Sequence, residues 1–150
     1  MNDAQLHLIL NHYPILGTLF GVLLLAYGFF AKNKSILHTG LVTLFIAALF
    51  AIPTYLTGEG AEEIVEELGV DHDVIHEHEE AAELAIWMMA GLGLLSVVTF
   101  FLSLRASINN STIRVLYIIT LVAGLAIFGY MARVGGLGGE IRHPEVRETP

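Results

Sequence analysis

The sequence predicts an all-α integral membrane protein, an antiparallel four-helix bundle with an amphipathic acidic connector between helices 2 and 3. Three observations carry this. Of 150 residues, 55% are hydrophobic and 15% charged, where a soluble domain carries about 25% charge, and mean hydropathy is +0.67. Four apolar runs, at 6–31, 36–56, 81–104 and 113–132, each approach the roughly 20 residues of helix that cross a hydrocarbon core. The connections at 32–35 and 105–112 are short, so helices 1 and 2, and then 3 and 4, should be antiparallel neighbours within a single domain spanning 1–150.

Helix 1 is expected to begin near Leu6. The opening MNDAQLHLIL lacks the positive n-region of a signal peptide and runs into spanning-length apolar sequence, so it should be retained as the first helix. Pro14 removes one helical hydrogen bond and frees the carbonyl one turn earlier, at Leu10, which predicts a kink beside His12. Gly17 and Gly21 form a small-xxx-small pair for close packing of a neighbour. Helix 2 carries Pro53 near its end, and Gly58 and Gly60 are expected to turn the chain into the connector.

Residues 57–85 hold eleven of the fifteen acidic residues and three of the seven histidines, which accounts for most of the formal charge of -8. Ile64, Val65 and Leu68 form one side of a short helix expected to rest on the membrane surface, with Gly69 ending it. Asp71 or Asp73 should cap the next helix. Helix 4 leads into Gly135, Gly136, Gly138 and Gly139. Each costs a helix about 1 kcal/mol relative to Ala, so this is either a flexible exit or a place where something needs the room.

Lys32, Lys34, Arg105 and Arg114 flank the two short connections without acidic neighbours, which predicts that those connections face the cytoplasm. Both termini and the acidic segment then face the periplasm of a bacterial inner membrane. The basic residues of that outer side are Arg133, Arg142 and Arg147.

The absence of cysteine excludes disulfides, thiolate metal sites and covalent c-type haem. No phosphate loop, dinucleotide fingerprint or nucleic-acid patch is present. Transport is disfavoured because no polar residue marks a path through the inner halves of the spans. Six histidines, His7, His12, His72, His76, His78 and His143, fall on the outer side, leaving His38 on the other. Ionisable groups at membrane depth are functional hypotheses by default, whereas His72, His76 and His38 singly read as interfacial side chains.

Two chemistries suit the set. One is haem b, one or two per chain, with His12 and His78 as the favoured axial pair, His7 and His143 as further ligands, and Arg133 and Arg142 facing propionates. The other is a non-haem Fe, Zn or Cu site in which Glu59, Glu79 and Glu140 join the histidines, Glu140 and His143 sharing one helical face. A structural membrane subunit without cofactor is the third reading.

HLILNHYPILG, the TGE closing helix 2, the His heading helix 3 and GGEIRH after helix 4 resemble a bacterial family of small four-span membrane proteins catalogued as a domain of unknown function. The resemblance covers almost the whole chain, matching His7, His12, Glu59, His78 and His143. Some relatives are joined to Rieske or cytochrome c modules, which implies redox work. The expected function is a membrane b-type cytochrome, an electron carrier rather than a stand-alone enzyme. Its partners, apart from membrane lipid, would be a quinol or a basic redox protein docking on the acidic connector, with oligomers open.

Overall fold

The computed structural model describes residues 2–143, and its architecture is all-helical. The elements are α1 (Asp3–Leu10), α2 (His12–Phe30), α3 (Lys34–Glu67), α4 (His72–Ser103) and α5 (Asn110–Arg142). Four stretches are long and apolar enough to cross a membrane, the first formed by α1 and α2 together. The chain is a multi-pass membrane protein. Neighbours in sequence pack as neighbours in space, α2 on α3, α3 on α4 and α4 on α5, and α5 closes the ring against α2. The exterior is apolar, with Phe30, Trp87, Leu94 and Val122 exposed, while Thr18, Ser96, Thr99 and Thr120 are buried inside. That inverted distribution suits a hydrocarbon solvent.

The helices are longer than the apolar runs. α3 has 34 residues and α4 has 32, so each is about 50 Å long, well over the roughly 30 Å of a hydrocarbon core. The surplus forms an acidic antiparallel hairpin continuous with the bundle. Here the expected short helix resting on the membrane surface is corrected: Gly58 and Gly60 lie inside α3 and make no turn. They serve α1 instead, for a Cβ on Gly58 would sit 3.7 Å from His7, and Gly60 packs directly against Asp3. The hairpin turns at Gly69, whose φ of +83 is the left-handed region. Asp71 caps α4 by accepting from the Asp73 amide at 3.0 Å.

The proline at 14 acts as expected. The helix breaks at Asn11, and the freed Leu10 carbonyl accepts from the Thr54 hydroxyl of α3 at 3.3 Å. α1 therefore lies against α3. The glycine-rich end of helix 4 proves to be helix throughout, to Arg142, and the room is used: a Cβ at Gly135 would fall 2.9 Å from Ile15, and one at Gly138 would fall 3.1 Å from His78.

At the opposite end, polar side chains pair between helices. Thr99 meets Thr120 at 3.2 Å, and His38 meets Ser103 at 2.8 Å. Their signal in the sequence was weak because single hydroxyls scarcely lower hydropathy.

Gly40 packs on the α2 backbone, where a Cβ would come within 2.7 Å of the Leu25 nitrogen. Backbone cannot rotate aside, so Gly40→Ala should destabilise by about 1–3 kcal/mol. Gly129 has open space around it, and Gly129→Ala should leave stability nearly unchanged. Unfolding titrations in mixed micelles check both, and equal effects would contradict the close α2–α3 contact.

Candidate functional site

Two histidines meet at the base of the acidic hairpin. His7 of α1 and His78 of α4 have ring centres 6.4 Å apart and planes at 88°, and both are partly buried. Each ring is held from behind by a backbone oxygen. His7 Nδ1 lies 3.0 Å from the Thr54 carbonyl, and His78 Nδ1 lies 3.1 Å from the Val134 carbonyl. A carbonyl only accepts, so both Nδ1 atoms carry the proton and donate it. In the neutral form each Nε2 then presents a lone pair. A fixed Nδ1–H with a free Nε2 is how histidine ligands are oriented toward a metal.

The helices explain the placement. Along α2 the buried positions are Pro14, Thr18, Gly21, Val22, Leu25 and Gly28, a stripe that continues backwards through Asn11 and His7. α4 buries Ala81, Ala85, Met89 and Leu92, and His78 heads that stripe. Gly138 gives the His78 ring a place against α5, and Gly58 does the same for His7 against α3. Thr54 and Val134 escaped the sequence reading, which took Gly58 for a turn and placed Gly138 where something needs the room.

The remaining expected site residues are dispersed. His12 is the first residue of α2 and exposed, and it is the His7 ring that lies beside that of His78. His143 caps the end of α5 and is exposed, as are Arg142 and Glu59, while Glu140 is partly buried. Arg133 is exposed and pairs with Glu77 at 3.5 Å. Glu79 lies 3.9 Å from His76. Among the described residues no three of His, Asp or Glu group so as to hold an ion. Arg147 lies outside the described residues.

The hairpin is electrostatically loaded. Glu62 of α3 faces Glu79 of α4, and their shared hydrogen bond, with partial burial and the charges of Glu79 and Glu66, pushes the Glu62 carboxyl up to about 7; His72 opposes the shift. His72 donates to Glu66 at 2.9 Å, which raises its own pKa. His76 sits 3.4 Å from Glu80 and stacks on His72 with centres 6.3 Å apart.

Both raised groups bind protons more tightly in the folded hairpin than in the open one. The Glu62 contribution is fully present below 4.5 and is lost as pH rises through about 7. The His72 contribution is present below 6.5 and is lost above it. Amide exchange of residues 62–68, corrected for intrinsic rates, should thus show stronger protection at pH 5 than at pH 8. In Glu79→Gln, whose amide donates at any pH, the difference should shrink; undiminished pH dependence would remove the carboxyl pair as its cause.

The carbonyl partners also fix a tautomer. Nitrogen-15 spectra of the imidazoles at neutral pH, in cofactor-free protein, should show Nδ1 protonated and Nε2 bare in both His7 and His78. Nε2-protonated rings would contradict the site. No family model, curated protein or solved structure matches the chain.

Proposed function

We propose that this chain is a membrane electron carrier that binds one haem b between His7 and His78 and exchanges electrons at the hairpin face of the bundle. The observation that carries the reading is the pair of imidazoles on different helices, each with Nδ1 committed to a carbonyl, at a ring separation of 6.4 Å. A metal about 2 Å from each of two nitrogens separates ring centres by roughly 6 Å. A haem takes two ligands from the protein, whereas a zinc-type ion asks for three or four protein side chains. The donor set suits the former.

Small residues lie along α4 beyond His78 and against its ring. Ala81, Ala82 and Ala85 follow His78 along α4, and Gly138 flanks its ring. Arg142 and Arg133 are the basic side chains at this face, the latter already engaged by Glu77. One histidine couple supports one haem, not two. When bound, the group supplies a one-electron iron couple. The chain itself holds two imidazoles in one tautomer, through Thr54 and Val134, and limits water with the hairpin above them.

The basic residues at the other end favour a cytoplasmic placement for the α2–α3 and α4–α5 connections, which puts the hairpin in the periplasm of a bacterial inner membrane. The resemblance to a family in which some relatives are joined to redox modules is in line with electron transfer. The acidic hairpin fits a basic redox protein, docked with salt-sensitive affinity.

A reduced-minus-oxidised spectrum and pyridine haemochrome of the detergent-purified protein test the reading, with about one haem per chain expected. His7→Ala and His78→Ala should each abolish haem retention, and His12→Ala should keep it. A colourless protein, or loss only in His12→Ala, would overturn the assignment.

A further inference from the structure

A groove of about 380 Å³ runs between α3 and α4 on the lipid-facing side of the bundle. Phe45, Ile52, Ala90 and Leu94 form its apolar walls, and Tyr55, Glu83 and Trp87 also line it. Its volume lies within the range of small-molecule sites. Glu83 stands out, because it lies within the apolar run of α4, where a carboxylate is costly unless it has a task. Neither Glu83 nor the Tyr55 hydroxyl has a hydrogen-bond or ion-pair partner among the described residues. An otherwise apolar groove thus offers one acceptor and one hydroxyl that the fold leaves unused.

We infer that this groove binds an isoprenoid quinol, the tail along Phe45, Ala90 and Leu94 and the ring between Tyr55 and Glu83. A quinol hydroxyl donates to the Glu83 carboxylate, and the second quinol oxygen accepts from the Tyr55 hydroxyl. A phospholipid is the poorer occupant, since its phosphate would bring negative charge to a carboxylate in low dielectric. Glu83 follows His78 by five residues, about 7.5 Å along the helix axis and roughly 140° around it, so the groove lies on a different face of α4 from the His78 ring.

The electron-transfer part rests on the haem reading; the binding part does not. Oxidation of one quinol to quinone breaks two O–H bonds and releases two protons and two electrons. The proton of the hydroxyl on Glu83 passes by way of that carboxylate to water, and the proton of the second oxygen leaves by way of the Tyr55 hydroxyl, which takes it as it releases its own to water. If haem b were held by His7 and His78, it would supply a one-electron couple to take these electrons singly, with a one-electron acceptor protein drawing them off.

Trp87 is the single tryptophan of the chain, and it lines the groove, so its fluorescence reports occupancy with or without haem. The detergent-solubilised full chain, as purified and as His7→Ala, is titrated with a decyl-tailed benzoquinone. Saturable quenching at about one quinone per chain is expected in both. Ala90→Phe, which fills the groove from its exposed wall, should abolish saturation. Glu83→Gln and Tyr55→Phe should each weaken apparent affinity for the quinol form by about tenfold. Val122→Phe, on the lipid face of α5, should behave as wild type. Linear, unsaturable quenching, or equal saturation in Ala90→Phe, overturns the site, as does equal competition by decanol, which would make the groove an acyl-chain slot. Saturable binding by a protein without haem would leave the groove standing and remove the haem reading alone.

Discussion

A carbonyl without a donor inside a bilayer costs several kcal/mol, and the hairpin end of this bundle is arranged around that constraint at Thr54. Pro14 takes one donor away and leaves the Leu10 carbonyl bare. The Thr54 hydroxyl reaches that carbonyl at 3.3 Å while also serving Phe50 of its own helix at 2.8 Å. The Thr54 carbonyl in turn accepts from His7 at 3.0 Å and from the Thr57 hydroxyl at 3.0 Å. One residue thus secures the break between α1 and α2 and the ring that α1 carries. The kink and the histidine share this residue: the Thr54 hydroxyl reaches the bare Leu10 carbonyl, and the Thr54 carbonyl holds the His7 ring.

Close approach of backbones makes the arrangement possible. Gly21 and Gly40 bring α2 and α3 within a distance that any side chain would prevent, and α1 inherits that spacing where it crosses Gly58 and Gly60. On the other side of the site Gly138 lets α5 come up to the His78 ring, which places the Val134 carbonyl one turn earlier within reach of Nδ1. Glycines that weaken a helix in water therefore act here as spacers. Inside a bilayer helix formation is enforced by the lack of any other partner for the backbone, which is why GGLGG remains helical.

That difference of solvent explains what could be read from the sequence. The four spans were legible because length and hydropathy alone define them, and the turn at Gly69 and cap at Asp71 because their chemistry is local. The extent of α3 was not, since Gly58 and Gly60 carry the composition of a turn and their reason lies in α1, fifty residues away in sequence. The site was half legible. The histidines sorted to one end, but the choice of His12 over His7 followed proximity to Pro14 and not helical phase. Counting back from Gly28 through Leu25, Gly21, Thr18 and Pro14 leads to Asn11 and His7, and leaves His12 beside Tyr13 on the outer face. The carbonyl partners had no signal of their own, because every residue has one.

The polar groups at the other end contrast with the site. Thr99 and Thr120 bond each other, Thr120 also bonds the Leu116 carbonyl, and Ser103 bridges His38 and the Phe100 carbonyl. These satisfied pairs join helices as hydroxyls commonly do in membranes. Between them and the histidine pair, the inner stripe of α4 runs through Ala81, Ala85, Met89 and Leu92, about 17 Å of apolar packing from first to last. Thr18 is the polar group packed against it, its hydroxyl donating to the Pro14 carbonyl at 2.7 Å and lying 3.6 Å from the Met89 sulfur. The two ends of the bundle thus differ in kind, with hydroxyl pairs joining helices at the basic end and carbonyl-held imidazoles at the hairpin end.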